Sequence, residues 1–288
     1  MGFLDCAALV CGVLGMCVYK TVTWHYEGTL QWERATPNHA GDSDVSWTLL
    51  LSLRAVALAV VLTVIFNICT DPNPTQVIGR STRKPENKVL LRGMTRLTTF
   101  TVWCWLLQGV YFFLATMASL HLLPVSMIPL QWILFELSLA MALLVTIVVT
   151  FVLVPMSQSR GYPMDFLFKW TVLAMHNLNT LFMLLELVLN RFDIHAYHFP
   201  AVLVYGVAYV LFAWANEQWG VGIFYYFFLD YTRPYAILGY LGLFIAVTVF
   251  YSFAYWIDLV FEAHRWIAFL VIPASNAIML WKPPVARK

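Results

Sequence analysis

Charge is scarce in this chain. Asp, Glu, Lys and Arg together make up 11% of its 288 residues, where a soluble globular domain carries about 25%. That is too little polar surface to coat a water-soluble globule. The net charge is only +2, which excludes nucleic acid as an electrostatic partner. Cysteine is equally sparse: Cys6, Cys11, Cys17, Cys69 and Cys104 are odd in number, scattered and mostly inside apolar runs. No CxxC pair or zinc spacing appears, so neither a disulfide frame nor a metal site is expected. No Gly-x-Ser-x-Gly elbow, phosphate loop or paired-carboxylate motif is present, and no cofactor is implied. The first apolar run, MGFLDCAALVCGVLGMCVYK, lacks a basic leader and carries Asp5, so a cleaved signal is not expected. Cys6 occupies the place where a myristoylation motif has Ser or Thr. No internal repeat is evident, which disfavours a transporter built from repeated halves.

Apolar residues fill the space that charge leaves. They reach 61%, with aromatics at 16% including 12 Trp and 14 Tyr, and the mean hydropathy is +0.75. A membrane span needs about 20 such residues. Six segments meet that need: Ser46–Cys69, Leu97–Ser119, Leu130–Val154, Phe168–Asn190, the shorter Pro200–Asn216, and Ala236–Ile257. Phe3–Tyr19 and Trp266–Trp281 are marginal, the latter interrupted by Pro273. The expected fold is therefore an all-α polytopic transmembrane helical bundle with six core spans and a marginal apolar segment at each end. Residues 1–45 form an N-terminal segment, 46–257 the six-span domain, and 258–288 a tail. Such a protein is integral to a membrane, of the endoplasmic reticulum or the cell surface, with lipids as its immediate partners and its oligomeric state left open.

The polar insert at 70–96 contains DPNP, GRSTRKPENK and six Lys or Arg against two acids. It reads as a flexible, water-exposed loop on the cytoplasmic side. The loop His121–Ile128 carries no Lys or Arg and falls opposite, while Met156–Lys169, with Arg160 and Lys169, returns to the cytoplasm.

Against this lipid-like background, Met175–Asn190 (MHNLNTLFMLLELVLN) stands out. A central charge in a span carries an apparent insertion cost of roughly 2.5–3.5 kcal/mol, so ionisable groups there face a protein interior or a wet cavity. At helical spacing His176, Asn179, Thr180, Met183, Glu186 and Asn190 share one face, and Leu184, Leu185 and Val188 cover the other. His176 is compatible with a general base, a ligand or a packing histidine. The nearby His195 and His198 read as a wet loop pair.

In LTTFTVWCWLLQGVYFF, Thr101 shares a stripe with Trp105, Gln108 and Phe112. A membrane threonine ordinarily bonds back to a carbonyl one turn earlier. It becomes a nucleophile only beside a base. Thr101 lies five residues past Arg96, and His176 seven past Lys169, which places both about 8–10 Å inside the same membrane face. His176 thus supplies a base at matched depth, with Asn179 or Gln108 available to hold the imidazole or an oxyanion. Arg54, Glu136, Glu186 and Asp258 group at the opposite face, where Arg54 is expected to pair with Glu136 or Glu186. The aromatic stretch Trp219–Pro234 reads as an interfacial or re-entrant segment.

These runs resemble the androgen-induced protein family, which includes the androgen-dependent TFPI-regulating protein and the rolling-stone proteins. The resemblance extends from about Trp47 to Ile257. It is carried by Phe100-Thr101-Val102-Trp103 with Gln108 and Tyr111-Phe112, then by Met175-His176-Asn177-Leu178-Asn179 with Leu184-Leu185-Glu186 and Leu189-Asn190, and by Phe228-Leu229-Asp230. It implies a six-span protein and, in the vertebrate branch, a threonine hydrolase of fatty acid esters of hydroxy fatty acids, with Thr101 on the nucleophile and His176 on its base. Val102-Trp103 is closer to the rolling-stone branch, Phe227 stands where a proline is common, and the basic loop precedes the Thr101 helix.

The leading expectation is an intramembrane lipid-ester hydrolase. The alternative is a non-enzymatic multi-pass protein of rolling-stone type, acting in cell fusion, adhesion or signalling, with the polar face serving as glue between helices.

Overall fold

The computed structural model describes residues 2–30, 32, 47–79, 88–159, 165–190 and 192–282. Seven helical segments among them are long and apolar enough to cross a membrane. The fold is an all-α helical bundle, and each of the six core spans read from the sequence falls on a helix. The N-terminal segment, expected to be marginal, supplies the seventh: α1 runs from Phe3 to Tyr26, 24 residues. The apolar run ends at Tyr19, but no Gly or Pro follows until Gly28, and the Lys20 ammonium lies 5.4 Å over the Trp24 ring one turn on. Helix α1 then closes in a Schellman turn. Gly28 adopts φ +68°, its N–H donates to His25 O, and Thr29 N–H donates to Trp24 O. The C-terminal apolar segment stays short, as a 3-10 turn at Arg265–Ile267 and α10 at Ala268–Ile278 with Pro273 inside.

The other elements are α2 (Trp47–Thr70), β1 (Thr75–Ile78), β2 (Lys88–Leu91), α3 (Phe100–Ser119), α4 (Ile128–Val148) and α5 (Val154–Ser159). They continue with α6 (Trp170–Leu173), α7 (Asn179–Leu189), α8 (Phe199–Trp219) and α9 (Ala236–Ala263). The chain divides into two compact units.

The first unit comprises residues 1–31, 67–103 and 195–249. Helix α1 packs along α8, with aromatic contacts at both its ends. The Phe3 ring lies 5.0 Å from Trp214 and 5.1 Å from Tyr231, and Trp24 lies 5.0 Å from Tyr197. The segment at 70–96, expected to be a flexible loop, is ordered at its flanks. Strands β1 and β2 pair antiparallel from Thr75↔Leu91 to Ile78↔Lys88, while residues 80–87, with most of the basic stretch, lie outside the described residues. Buried Arg96 ties down the turn that leads into the hairpin. Its guanidinium donates to the carbonyls of Ile68, Asp71 and Asn73, joining the last turn of α2 to the hairpin and placing a cation at a helix C-terminus.

The Trp219–Pro234 stretch, expected to be interfacial or re-entrant, is partly packed into the unit. Ile223, Phe224, Leu229 and Asp230 are buried. Tyr240 donates to Leu229 O at 2.6 Å, and Trp214 donates to the Tyr240 hydroxyl at 2.7 Å. His198 is buried too, its Nε2 3.1 Å from Leu30 O. Its ring centre is 4.8 Å from that of His195, which is half-buried, so of the expected wet loop pair the structure buries His198.

The second unit comprises residues 32–66, 104–194 and 250–288. Helix α4 is its buried centre and α7 packs against it. Helices α2 and α3 approach closely at Gly109, where an added Cβ would stand 2.8 Å from Val61 Cγ1. Near this crossing Trp105 Nε1 donates to Val61 O at 3.4 Å. Of the two acids considered for Arg54, the structure places Glu186 on it. Both residues are fully buried, and Arg54 Nε and Nη2 reach Glu186 Oε1 at 2.9 and 2.6 Å. Glu136 instead accepts from Tyr251 at 2.7 Å. Tyr111 and Asn190 also donate to Glu186 Oε1, and Arg54 Nη1 reaches Ser119 Oγ at 2.6 Å and Ala115 O at 3.2 Å. Asp258 accepts the Ile194 N–H at 2.7 Å.

Candidate functional site

Helices α6 and α7 are one span with a π-bulge at Ala174–Leu178, closed by Asn179 N–H donating to Ala174 O. One extra residue in the turn leaves backbone carbonyls out of the helical ladder. In a span, side chains must take up groups freed in this way. The surrounding polar residues do so. The Thr146 hydroxyl of α4 donates to His176 O. It also lies 3.0 Å from Asn179 Oδ1 and 2.8 Å from Thr180 Oγ1. Asn179 Oδ1 accepts the Thr180 N–H at 2.7 Å, and Gln108 Nε2 donates to Asn179 O at 2.8 Å.

Asn179 and Gln108, singled out in the sequence as supports for the imidazole, thus hold the bulge. Their hydrogen bonds among the described residues go to backbone and to Thr146. The sequence reading missed Thr146, although its spacing offered a signal. In LLVTIVVTFVLV, Thr146 and Thr150 are four apart, which puts both hydroxyls on one helix face.

His176 stands at the centre of the bulge. It is 7% exposed, and its Nδ1 is enclosed with no hydrogen-bond partner among the described residues. It lines a cavity of about 10 Å³ together with Asn177, Leu173, Val149, Thr150 and Leu280. The Asn177 amide donates to Leu280 O at 3.0 Å, which brings the chain beyond α10 to the cavity edge.

Thr101 belongs to the first unit, on the opening turn of α3. It is half-buried in an aromatic setting. Phe100 packs 4.8 Å from Tyr209, and Trp103 packs 5.3 Å from Tyr209 and 4.6 Å from Phe212. Thr63, Thr116 and Thr248 each bond back to the carbonyl one turn earlier, at 2.7, 2.7 and 2.8 Å. The Thr101 hydroxyl makes no hydrogen bond to any described residue. The neighbouring Thr98 hydroxyl instead meets Tyr225 Oη, and Tyr209 donates to Thr98 O at 3.3 Å. Burial holds the Tyr225 phenol above its ordinary range.

Among the described residues no group of three His, Cys, Asp or Glu is placed to hold a metal ion. No family model, curated protein or solved structure matches the chain.

Proposed function

We propose that this protein is an intramembrane lipid-ester hydrolase with Thr101 as nucleophile and His176 as general base. The observation that carries the reading is His176 itself, an imidazole buried at a π-bulge of a membrane span with Nδ1 unpartnered beside a small cavity. Bulges of this kind recur at functional sites. The unbonded Thr101 hydroxyl adds support, since it is free of the back-bond that occupies Thr63, Thr116 and Thr248.

In this mechanism Thr101 Oγ attacks the ester carbonyl while His176 takes its proton, a step that requires the two within about 2.6–3.2 Å or one water. The proton passes to the leaving alkoxide, releasing an alcohol and leaving an acyl-threonine. Water then attacks the acyl carbon and gives a proton to His176. Thr101 takes that proton back as the fatty acid departs. The apolar surroundings suit long-chain esters, with fatty acid esters of hydroxy fatty acids as the substrate class, in the endoplasmic reticulum or the cell surface membrane.

The test is purified protein with a fluorophosphonate probe and a long-chain ester. The reading expects an adduct on Thr101 that is lost in Thr101→Ala and in His176→Ala, with activity partly kept in Thr101→Ser. A second reading has its own observation: Thr146, Asn179, Thr180 and Gln108 all serve contacts within and between helices. A non-enzymatic protein of adhesion, fusion or signalling, its polar face acting as glue, predicts no adduct and only lowered stability in His176→Ala.

A further inference from the structure

His176 has a hydroxyl neighbour within its own unit. Two π-bulges, Val149–Leu153 and Ala174–Leu178, contribute Thr150 and His176 to the same cavity. Its volume of about 10 Å³ is close to the minimum for one water, which also needs two or more polar partners. Thr150 is 7% exposed and, like Thr101, makes no bond back to the preceding turn among the described residues. His176, which also lines the cavity, has its Nδ1 buried without a partner among the described residues. The Asn177 Nδ2 group donates to Leu280 O.

We propose that this cavity is a one-water site in which a water joins His176 Nδ1 to the Thr150 hydroxyl, making Thr150 the positioning residue of the imidazole. Nδ1–H donates to the water and the water donates to Thr150 Oγ1. A proton fixed on Nδ1 leaves Nε2 bare, and the bond made by one ring nitrogen sets the tautomer of the other. The site itself stands on the cavity. Its catalytic meaning rests on the hydrolase reading, where bare Nε2 is the atom that accepts the Thr101 proton.

The experiment is nitrogen NMR on detergent-solubilised protein carrying ¹⁵N-histidine, with the His176 signals assigned by their loss in His176→Asn. The expected result is a single Nδ1–H tautomer in the native chain, its loss in Thr150→Val and its return in Thr150→Ser. An Nε2–H tautomer in the native chain overturns the proposal, as does a Thr150→Val spectrum identical to native. If Thr150→Val does not fold, the native and Thr150→Ser tautomers decide. The fluorophosphonate assay runs in parallel. An Nδ1–H tautomer without any adduct supports the water site and removes the hydrolase reading. An adduct with the tautomer unmoved in Thr150→Val keeps the hydrolase and removes the water site.

Discussion

Arg54→Ala tests the buried charge cluster of the second unit. Arg54 and Glu186 are both fully buried, and the substitution leaves a carboxylate facing only the Tyr111 hydroxyl and the Asn190 amide at 2.7 and 3.1 Å. Breaking one side of a buried pair costs about 3–5 kcal/mol, because the remaining charge is uncompensated. At roughly 2–4 °C per kcal/mol for a chain of this size class, the unfolding midpoint in detergent falls by roughly 6–20 °C. Ser119 and Ala115 also lose a donor, which places the value toward the upper end. The double variant Arg54→Met with Glu186→Leu removes both charges together. It should recover most of the loss, short of about 1–3 kcal/mol for the stranded Tyr111 and Asn190 groups. Tryptophan fluorescence followed through thermal unfolding reads all of these variants. An Arg54→Ala midpoint within about 2 °C of native would refute the argument, as would a double variant less stable than either single one.

Further substitutions probe packing and polar satisfaction. Gly109→Ala sets a methyl 2.8 Å from Val61 Cγ1 and should lower stability by about 1–3 kcal/mol, with recovery on adding Val61→Ala; an unchanged midpoint would show that α2 and α3 part freely. Thr146→Val removes the hydroxyl that serves the His176 carbonyl and should cost about 1–3 kcal/mol, whereas Thr63→Val, at an exposed site, should stay within about 0.5 kcal/mol. Thermal midpoints that rank the two in the opposite order would contradict the role given to the bulge. Tyr240→Phe strands both Leu229 O and Trp214 Nε1, and increased proteolysis between Trp219 and Pro234 is the expected sign.

The spans were legible because hydrocarbon demands long apolar helices, and their long apolar runs carry only isolated ionisable residues such as Arg54, Glu136 and Glu186. Helix α1 was the exception, since Lys20 and His25 ended the apolar run before the helix ended. The polar face of α7 was legible as a face but not in its parts. Simple helical spacing assumes regular turns, and the π-bulge at Ala174–Leu178 shifts everything beyond it. That shift is why Asn179, expected at the imidazole, is bound to Thr180 N–H and Thr146. Glu186 and Glu136 have similar sequence surroundings. Only the packing of α2 against α3 and α7 assigns Arg54 to the first of them, and of α9 against α4 gives Tyr251 to the second. The hairpin flanking 80–87 was hidden because its two strands are only four residues each, and the Arg96 bonds to carbonyls ahead of it join residues far apart in the sequence.

The central claim is that His176 activates Thr101. Its most direct measurement is mass spectrometry of the fluorophosphonate-treated native chain, alongside Thr101→Ala and His176→Ala proteins shown to be folded. The account predicts a phosphonylated Thr101 in the native protein and none in either variant. Label that persists in both variants, or a native chain that takes up no label, contradicts it.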